Sequence, residues 1–325
     1  MDVSRPRLRL VLLPLLAALV VIGFQVARKP LRIPHADEFY YLTIARDLAL
    51  HGVFTNGTFK RGPFDRADGP ARFGEEDQKW ATPGRFFAPA YPILVYLVGV
   101  ADPRAGRSIA CAVKEGGVGP NGPTRCPTDY ATLVALQVAL WAIAMLAVFQ
   151  MSWLLSRSQA VAWLALVIAL ATGEPGYYAR TYLSENVSVV AFLLFMLFAM
   201  RAIEYRRVCD GIFAGVFMGL SALGRPAFLY LFYLLCLLLP LAALIGRGKA
   251  RAPQMRQVAA FALATIAVLL PWMIRNQLRF GDPGLSAGYA EVILMQRLSY
   301  NQMSWAEWAV SFIYWLPDFG DNLAK

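Results

Sequence analysis

Residues 34–52 read PHADEFYYLTIARDLALHG, a short amphipathic segment that follows the first hydrophobic run and carries two adjacent carboxylates near its start. Apolar residues recur at three- and four-residue steps from Tyr41 to Leu48, and a glycine closes the pattern, which predicts a helix. This helix is too short and too polar to cross a bilayer, so we expect it to lie along a membrane surface. Ionisable side chains next to a bilayer are energetically costly and usually functional, so Asp37 and Glu38 are the first functional candidates.

The composition indicates a polytopic membrane protein. Of 325 residues, 58% are hydrophobic and only 16% are charged, more apolar surface than one soluble core can bury. The net charge of +10 comes mostly from arginines between hydrophobic runs, which membrane topology explains without a nucleic-acid partner. Only two histidines are present, so a histidine-rich metal cluster is not expected.

Seven hydrophobic runs are candidates for membrane spans. Their residues are 10–26, 130–156, 159–172, 185–203, 211–223, 227–245 and 257–274. The basic clusters at 204–207 and 247–256 belong in the cytoplasm by the positive-inside rule, and the spans then alternate consistently. This topology places the N-terminus in the cytoplasm and makes residues 27–129 a first external loop.

A shorter apolar segment, residues 88–100, falls inside that first loop. Its thirteen residues are fewer than the roughly 20 that a spanning helix needs. Because both of its flanks are external in the alternating topology, it cannot cross. The sequence therefore predicts an all-α integral membrane protein with about seven transmembrane helices and two surface-lying helices in the first external loop.

The external loop also holds two of the four cysteines, Cys111 and Cys126. An oxidising compartment permits a disulfide between them, although two free thiols are the alternative. Closing a loop of about fifteen residues would contribute roughly 3 kcal/mol in the chain-entropy description. Cys209 and Cys236 fall at or inside spans, where a thiol behaves as a small apolar group.

Five short motifs occur along the chain in a fixed order. They are D-E-x-x-Y at 37–41, P-x-Y-P at 89–92, ARTYLSE at 179–185, GLSALGRPAF at 219–228 and LLPWMIRN at 269–276. In this order, and with this topology, the chain resembles the GT-C glycosyltransferases, which include protein O-mannosyltransferases and the aminoarabinose transferase of lipid A. The resemblance covers most of the chain.

The resemblance implies a GT-C type helical bundle at residues 1–274, a second external loop at 275–325, and further C-terminal spans beyond this sequence. It also implies a sugar donor carried on polyprenyl phosphate and a catalytic aspartate in the first loop. The expected location is the cell membrane, with a bacterial inner membrane favoured and the active site external. Membrane lipids and the lipid-linked donor are the expected partners, and the acceptor is left open among lipid, glycan and protein.

The candidate site follows from these expectations. Asp37 would act as general base on the acceptor, with Glu38 beside it, and arginines would bind the lipid phosphate that leaves. The substrate-binding candidates are Arg297, Arg275, Arg225, Arg85, Tyr40 and Glu185. A divalent cofactor is compatible with a carboxylate pair, but too few ligands are present to argue for one.

Two departures from the related transferases argue against aminoarabinose as the sugar. Tyr40 stands where those enzymes have a basic residue, and Phe87 and Ala88 stand where they have Glu-Lys before the proline of the second surface helix. The sugar is therefore not assigned.

Each functional assignment has a structural alternative. Asp37 could serve only as an N-cap, and Glu38 as a first-turn charge that favours the helix dipole. Glu185 could be an exposed helix end, Arg225 an interface anchor and Arg297 a solvated loop charge. At the level of the whole protein, the alternatives are a transporter or flippase and a non-catalytic lipid-binding membrane protein.

Overall fold

A computed structural model describes residues 9–29, 37–55, 83–85, 87–114, 129–245 and 251–286. All regular secondary structure in these ranges is helical. The helices are α1 (Arg9–Ala27), α2 (Asp37–His51), α3 (Ala90–Ala101), α4 (Pro103–Lys114), α5 (Ala131–Ser156), α6 (Gln159–Ala171), α7 (Glu174–Tyr178), α8 (Glu185–Tyr205), α9 (Val208–Gly224), α10 (Ala227–Ile245) and α11 (Arg251–Phe280).

Four of these helices, α1, α5, α8 and α11, are long and apolar enough to cross a membrane. The all-α class is therefore confirmed for the described residues, and the four candidate spans agree with the expected membrane protein. Helices α3, α6, α9 and the first part of α10 are apolar but shorter. The 13 residues of α6, for example, extend only about 20 Å along the helix axis, against a hydrocarbon thickness of about 30 Å. The count of seven spans stays a prediction.

The two helices predicted for the first loop are present. Helix α2 covers Asp37–His51 and α3 covers Ala90–Ala101, close to the apolar segment 88–100. The side chains of Leu42 and Ile44 in α2 are completely buried, as is Val95 in α3. Most of the circumference of α2 is therefore buried in the protein, whereas a helix lying on a membrane surface would bury only one apolar face.

Helix α4 was not predicted, since the sequence indicated only two helices in the first external loop. It is amphipathic, with Ala105 and Ile109 buried and Arg104 exposed. It packs against α3 where Gly106 meets Gly99, because a Cβ added at Gly106 would lie 2.6 Å from the Gly99 carbonyl oxygen. Such a backbone-to-backbone contact needs small residues.

The cysteines agree with the expectation as far as the structure describes them. Cys111 in α4 is disulfide-bonded. Cys209 and Cys236 are free thiols. The second cysteine of the predicted bridge, Cys126, lies outside the described residues.

Helix α9 packs closely against α11 along a stripe of glycines spaced four residues apart. A Cβ at Gly211 would lie 2.9 Å from the carbonyl oxygen of Gln257, and one at Gly219 would lie 2.7 Å from Val268 Cβ. Between them, the hydroxyl of Thr265 donates to the carbonyl of Gly215 at 3.1 Å. Small residues that let two backbones approach are the usual basis of helix association in membranes.

We expect Gly215→Ala to destabilise the protein, because the new methyl would run into the carbonyl of Phe261 and lie 2.8 Å from Ala264 Cβ. Overpacking of this kind costs about 1–3 kcal/mol. The measurement is the thermal unfolding midpoint in detergent. Gly23→Ala in α1 is the matched control, since nothing lies within 4 Å of that Cβ position and the midpoint should stay or rise slightly. Equal midpoints for both variants would refute the packing argument.

Candidate functional site

The candidate site is built around residues 179–184, the non-helical connection between α7 and α8. Its backbone carbonyls are satisfied by the buried amide of Gln137 in α5, which donates to Ala179 at 2.9 Å and to Thr181 at 3.1 Å. The same amide accepts a hydrogen bond from the hydroxyl of Tyr91 in α3 at 2.7 Å. One glutamine therefore ties the connection to two helices.

A second buried amide, Asn186, completes this support. Its Nδ2 donates to the carbonyls of Thr181 at 2.8 Å and Leu183 at 3.2 Å. Its Oδ1 accepts from the indole N–H of Trp141 at 2.8 Å. Both ends of the connection are therefore held, and two of its groups, the Tyr182 backbone N–H and the Ser184 hydroxyl, contact α2.

The carboxylate of Glu38 meets this connection. Glu38 is buried, with 2% of its surface exposed, and accepts a hydrogen bond from the Tyr182 backbone N–H at 3.2 Å. One turn further along α2, the Tyr41 hydroxyl donates to Ser184 Oγ at 3.3 Å. The Ser184 hydroxyl in turn lies 3.5 Å from Glu185 Oε2. Glu38 is thus an internal carboxylate rather than a solvated first-turn charge.

The structure does not describe the side chains of two other predicted site residues, Asp37 and Arg297. Asp37 is the first residue of α2, but its side chain lies outside the described part of the structure. Arg297 also falls outside the described residues. Tyr40 is half-buried, and its ring lies 4.9 Å from that of Phe87, centroid to centroid.

The structure joins Glu185 and Arg225, which the sequence offered as separate candidates. Glu185 is the first residue of α8, and Arg225 follows the end of α9. Arg225 Nη2 lies 2.7 Å from Glu185 Oε1, with 42% of the arginine side chain and 14% of the glutamate side chain exposed. The pair therefore forms an accessible charged edge beside the supported connection.

Arg275 of α11 contacts the first loop at two places, one before and one after residues 56–82, which lie outside the described structure. Its guanidinium donates to the carbonyls of Gly84 at 2.7 Å and Phe54 at 3.1 Å, and it lies 4.5 Å from the ring centroid of Trp272. The Gly84 N–H also donates to the Phe54 carbonyl at 2.7 Å. Arg275 therefore joins α11 to the first loop, and much of its donor capacity is used there.

Arg85 continues this junction. Its Nη1 lies 2.6 Å from Asp282 Oδ2, beyond the end of α11. The Arg85 side chain is 14% exposed and that of Asp282 is 55% exposed, so the pair reaches the surface at the carboxylate. Two arginines thus link the first loop to α11 and to the residues that follow it.

Further ion pairs in the described ranges lie near the ends of helices. Besides the two pairs above, Arg157 contacts Glu204, and Arg201 lies 3.0 Å from the buried Asp210. These last two pairs lie near the ends of α5 and α8 and the start of α9. The Glu185–Arg225 pair lies at the opposite end of α8 and α9. No group of three or more His, Cys, Asp or Glu side chains able to hold a metal ion occurs in the described part of the chain.

Sequence reasoning missed Asp47 of α2. The side chain is 0% exposed, and the Thr55 hydroxyl donates to Oδ2 at 2.5 Å while Oδ1 has no hydrogen-bond partner. Burial raises the pKa of Asp47 to about 6, against smaller lowering effects of the Thr55 hydrogen bond and Arg46. Nothing in the sequence marks this residue, because Asp on a short amphipathic helix normally faces water. Gln137 and Asn186 were missed too, although polar side chains inside apolar runs were a usable signal.

Comparison with known proteins finds no family model that matches this chain and no curated protein that matches it.

We expect Asp47→Asn to make stability less dependent on pH. Folding raises this pKa from 3.8 to about 6, so the folded chain binds the proton more tightly and wild-type stability falls as pH rises from about 4 to above 6. The variant should lose that slope and gain up to about 3 kcal/mol at pH 7. Thermal midpoints between pH 4 and pH 7 measure both effects.

The matched control is Asp282→Asn. The Gly284 backbone N–H and the Arg85 guanidinium hold the pKa of Asp282 below its usual value, so this variant should keep the wild-type slope. An unchanged slope in Asp47→Asn would show that Asp47 does not titrate as described.

Proposed function

We propose that this chain is a GT-C-like membrane glycosyltransferase that transfers a sugar from a polyprenyl-phosphate donor to an acceptor hydroxyl or phosphate on the external side of the membrane. The observation that carries the proposal is the meeting of α2, which begins with Asp37 and Glu38, with the 179–184 connection and the Glu185–Arg225 pair. Carboxylates and an accessible arginine from distant parts of the chain are the groups that this reaction needs.

In the proposed reaction Asp37 accepts the proton of the acceptor hydroxyl as its oxygen attacks the anomeric carbon. The bond between that carbon and the phosphate oxygen breaks, and the lipid phosphate leaves with the electron pair. An aspartate is a weak base, so proton transfer is expected late, in an oxocarbenium-like transition state that the adjacent Glu38 charge also favours.

Arginine suits the departing phosphate because its guanidinium can form two parallel hydrogen bonds. Of the described candidates, Arg225 is the most accessible, whereas Arg275 already donates to two backbone carbonyls and Arg85 pairs with Asp282. We therefore assign the phosphate to Arg225, with Arg297 as a further contact, and give Arg275 and Arg85 the role of positioning the first loop.

The proposal includes seven crossings of a bacterial inner membrane, formed by α1, α5, α6, α8, α9, α10 and α11, with the N-terminus in the cytoplasm. The exposed Arg157, Arg206 and Arg207 at the end opposite the site agree with a cytoplasmic face. A transporter is disfavoured, because α5 and α6 contain no charged residue, whereas ionisable groups inside spans commonly mark a translocation path.

We expect Asp37→Asn to lower the rate of sugar transfer by about 10²–10⁴-fold, the range typical of a lost general base, with little change in KM for the donor. The assay uses purified protein and radiolabelled polyprenyl-phosphate sugars. Glu204→Gln is the control, because Glu204 pairs with Arg157 at the opposite end and its loss should leave transfer unchanged. Wild-type turnover by Asp37→Asn would eliminate the catalytic assignment.

The proposed topology predicts where cysteines react with a membrane-impermeant maleimide. Arg104→Cys, on the exposed face of α4, should react in intact cells. The native exposed thiol of Cys209, at the start of α9, should react only after the membrane is permeabilised. Labelling of Arg104→Cys from the cytoplasmic side alone would contradict the surface position of α3 and α4.

A further inference from the structure

The end of α8 that lies away from the candidate site carries an arginine whose guanidinium is held in place. Arg201 lies one turn before the last residue of α8, and its Nε donates to Asp210 Oδ1 of α9 at 3.0 Å. The Asp210 side chain is 2% exposed and that of Arg201 is 36% exposed. Within the described part of the chain, the two terminal nitrogens of Arg201 have no hydrogen-bond partner. One side of the guanidinium is therefore fixed, and the other is open to a ligand.

A second arginine lies against the same aromatic ring. The Cζ atoms of Arg201 and Arg207 lie 5.8 Å and 5.6 Å from the ring centroid of Tyr205, the last residue of α8. Only Arg206 and Arg207 join α8 to α9, and the positive φ of 52° at Arg206 turns the chain sharply there. A guanidinium that rests on an aromatic face keeps its N–H donors for other partners.

The junction of α8 and α9 carries unpaired positive charge. Arg201 is paired with Asp210, whereas Arg206 and Arg207 are exposed and enter no ion pair among the described residues. Arginine binds phosphate well, because its planar fork can form two parallel hydrogen bonds. The charge and the open donors at this junction therefore fit a phosphate group.

An aromatic surface continues from Arg201 along both helices, away from their junction. The Arg201 Cζ lies 5.5 Å from the ring centroid of Phe198 in α8. The Phe198 centroid in turn lies 5.0 Å from that of Phe213 and 5.6 Å from that of Phe217, both in α9. Phe213 is 48% exposed. Basic groups at the edge of an exposed apolar surface suit a lipid, which has a phosphate and an acyl chain, better than a soluble phosphate.

We propose that Arg201, Tyr205 and Arg207 bind the phosphate of an anionic phospholipid, one acyl chain of which lies on Phe198 and Phe213. Phosphatidylglycerol fits this site because its headgroup brings no ammonium group next to the guanidinium groups. In the proposed topology the junction of α8 and α9 faces the cytoplasmic leaflet, where anionic lipids attract basic side chains. The lipid site shares no residue with the proposed sugar transfer and does not depend on it.

Positive-inside placement alone is the competing explanation for these arginines. That explanation requires only positive charge near the cytoplasmic ends of helices, so lipid binding would follow the net charge of the protein. A lipid site requires guanidinium groups at particular positions. The two explanations therefore differ for variants that move charge without changing its total.

Native mass spectrometry of the purified full chain in detergent measures the affinity of the first lipid bound. Dioleoylphosphatidylglycerol is the anionic probe, and dioleoylphosphatidylcholine, with the same acyl chains, is the zwitterionic one that the wild type should bind less tightly. Arg207→Gln should weaken phosphatidylglycerol binding about fivefold, as expected for one arginine near an anionic lipid. Arg28→Gln is the matched control and should bind as wild type, since Arg28 is exposed and lies 4.0 Å from the Phe24 ring centroid, after the end of α1.

Arg201 needs a paired change, because Arg201→Gln alone would leave the Asp210 carboxylate buried without its partner. The double variant Arg201→Gln, Asp210→Asn keeps the net charge and should also weaken phosphatidylglycerol binding about fivefold.

The acyl-chain contact has its own variant. Phe213→Ala should weaken phosphatidylglycerol binding about threefold through lost apolar contact. Tyr230→Ala is the control and should bind as wild type, since Tyr230 is 58% exposed on α10, a helix without charged residues.

The lipid site is overturned if the wild type binds the two lipids equally, or if Arg207→Gln, the double variant or Phe213→Ala binds as wild type. Losses as large in Arg28→Gln or Tyr230→Ala would overturn it too. Inorganic phosphate at the concentration of the lipid should leave phosphatidylglycerol bound. Complete displacement by phosphate would assign the arginines to a soluble anion and contradict the lipid site.

Discussion

The non-helical connection at residues 179–184 can exist among apolar helices only because its backbone carbonyls find hydrogen-bond donors within the protein. Two buried amides supply them: Gln137 donates to Ala179 and Thr181, and Asn186 donates to Thr181 and Leu183. An unsatisfied carbonyl in such surroundings costs several kcal/mol. The contacts of the candidate site follow from this support, since the connection presents the Tyr182 N–H to Glu38 and leads directly into Glu185.

Close helix packing places the other half of the site. The glycines of α9 let its backbone approach α11, and Arg225 follows the last residue of α9 while Arg275 lies in the last turns of α11. Arg275 then reaches across to the carbonyls of Phe54 and Gly84 in the first loop. Arg225 and Arg275 therefore lie at the same end of the bundle, whereas α5 and α6 contain no charged residue.

Periodicity predicted the elements whose signal is local. The spacing from Tyr41 to Leu48 predicted α2, and the apolar run at 88–100 predicted α3, because each pattern is contained in one short segment. The disulfide-bonded state of Cys111 agrees with the disulfide that an oxidising compartment permits. Helix α4 was missed, although its own residues are amphipathic, with Ala105 and Ile109 buried and Arg104 exposed.

The sequence by itself determined that the chain is helical and apolar enough for a membrane, and that Asp37 and Glu38 begin a helix, because hydrophobicity and turn signals act over a few neighbouring residues. Only the tertiary structure decided that Glu38 is buried against Tyr182, that Glu185 pairs with Arg225, and that Asp47 is enclosed with one unpaired oxygen. The partners in the first two contacts are separated by 144 and 40 residues along the chain. Local propensity cannot specify such pairs, since they form only after the helices have packed.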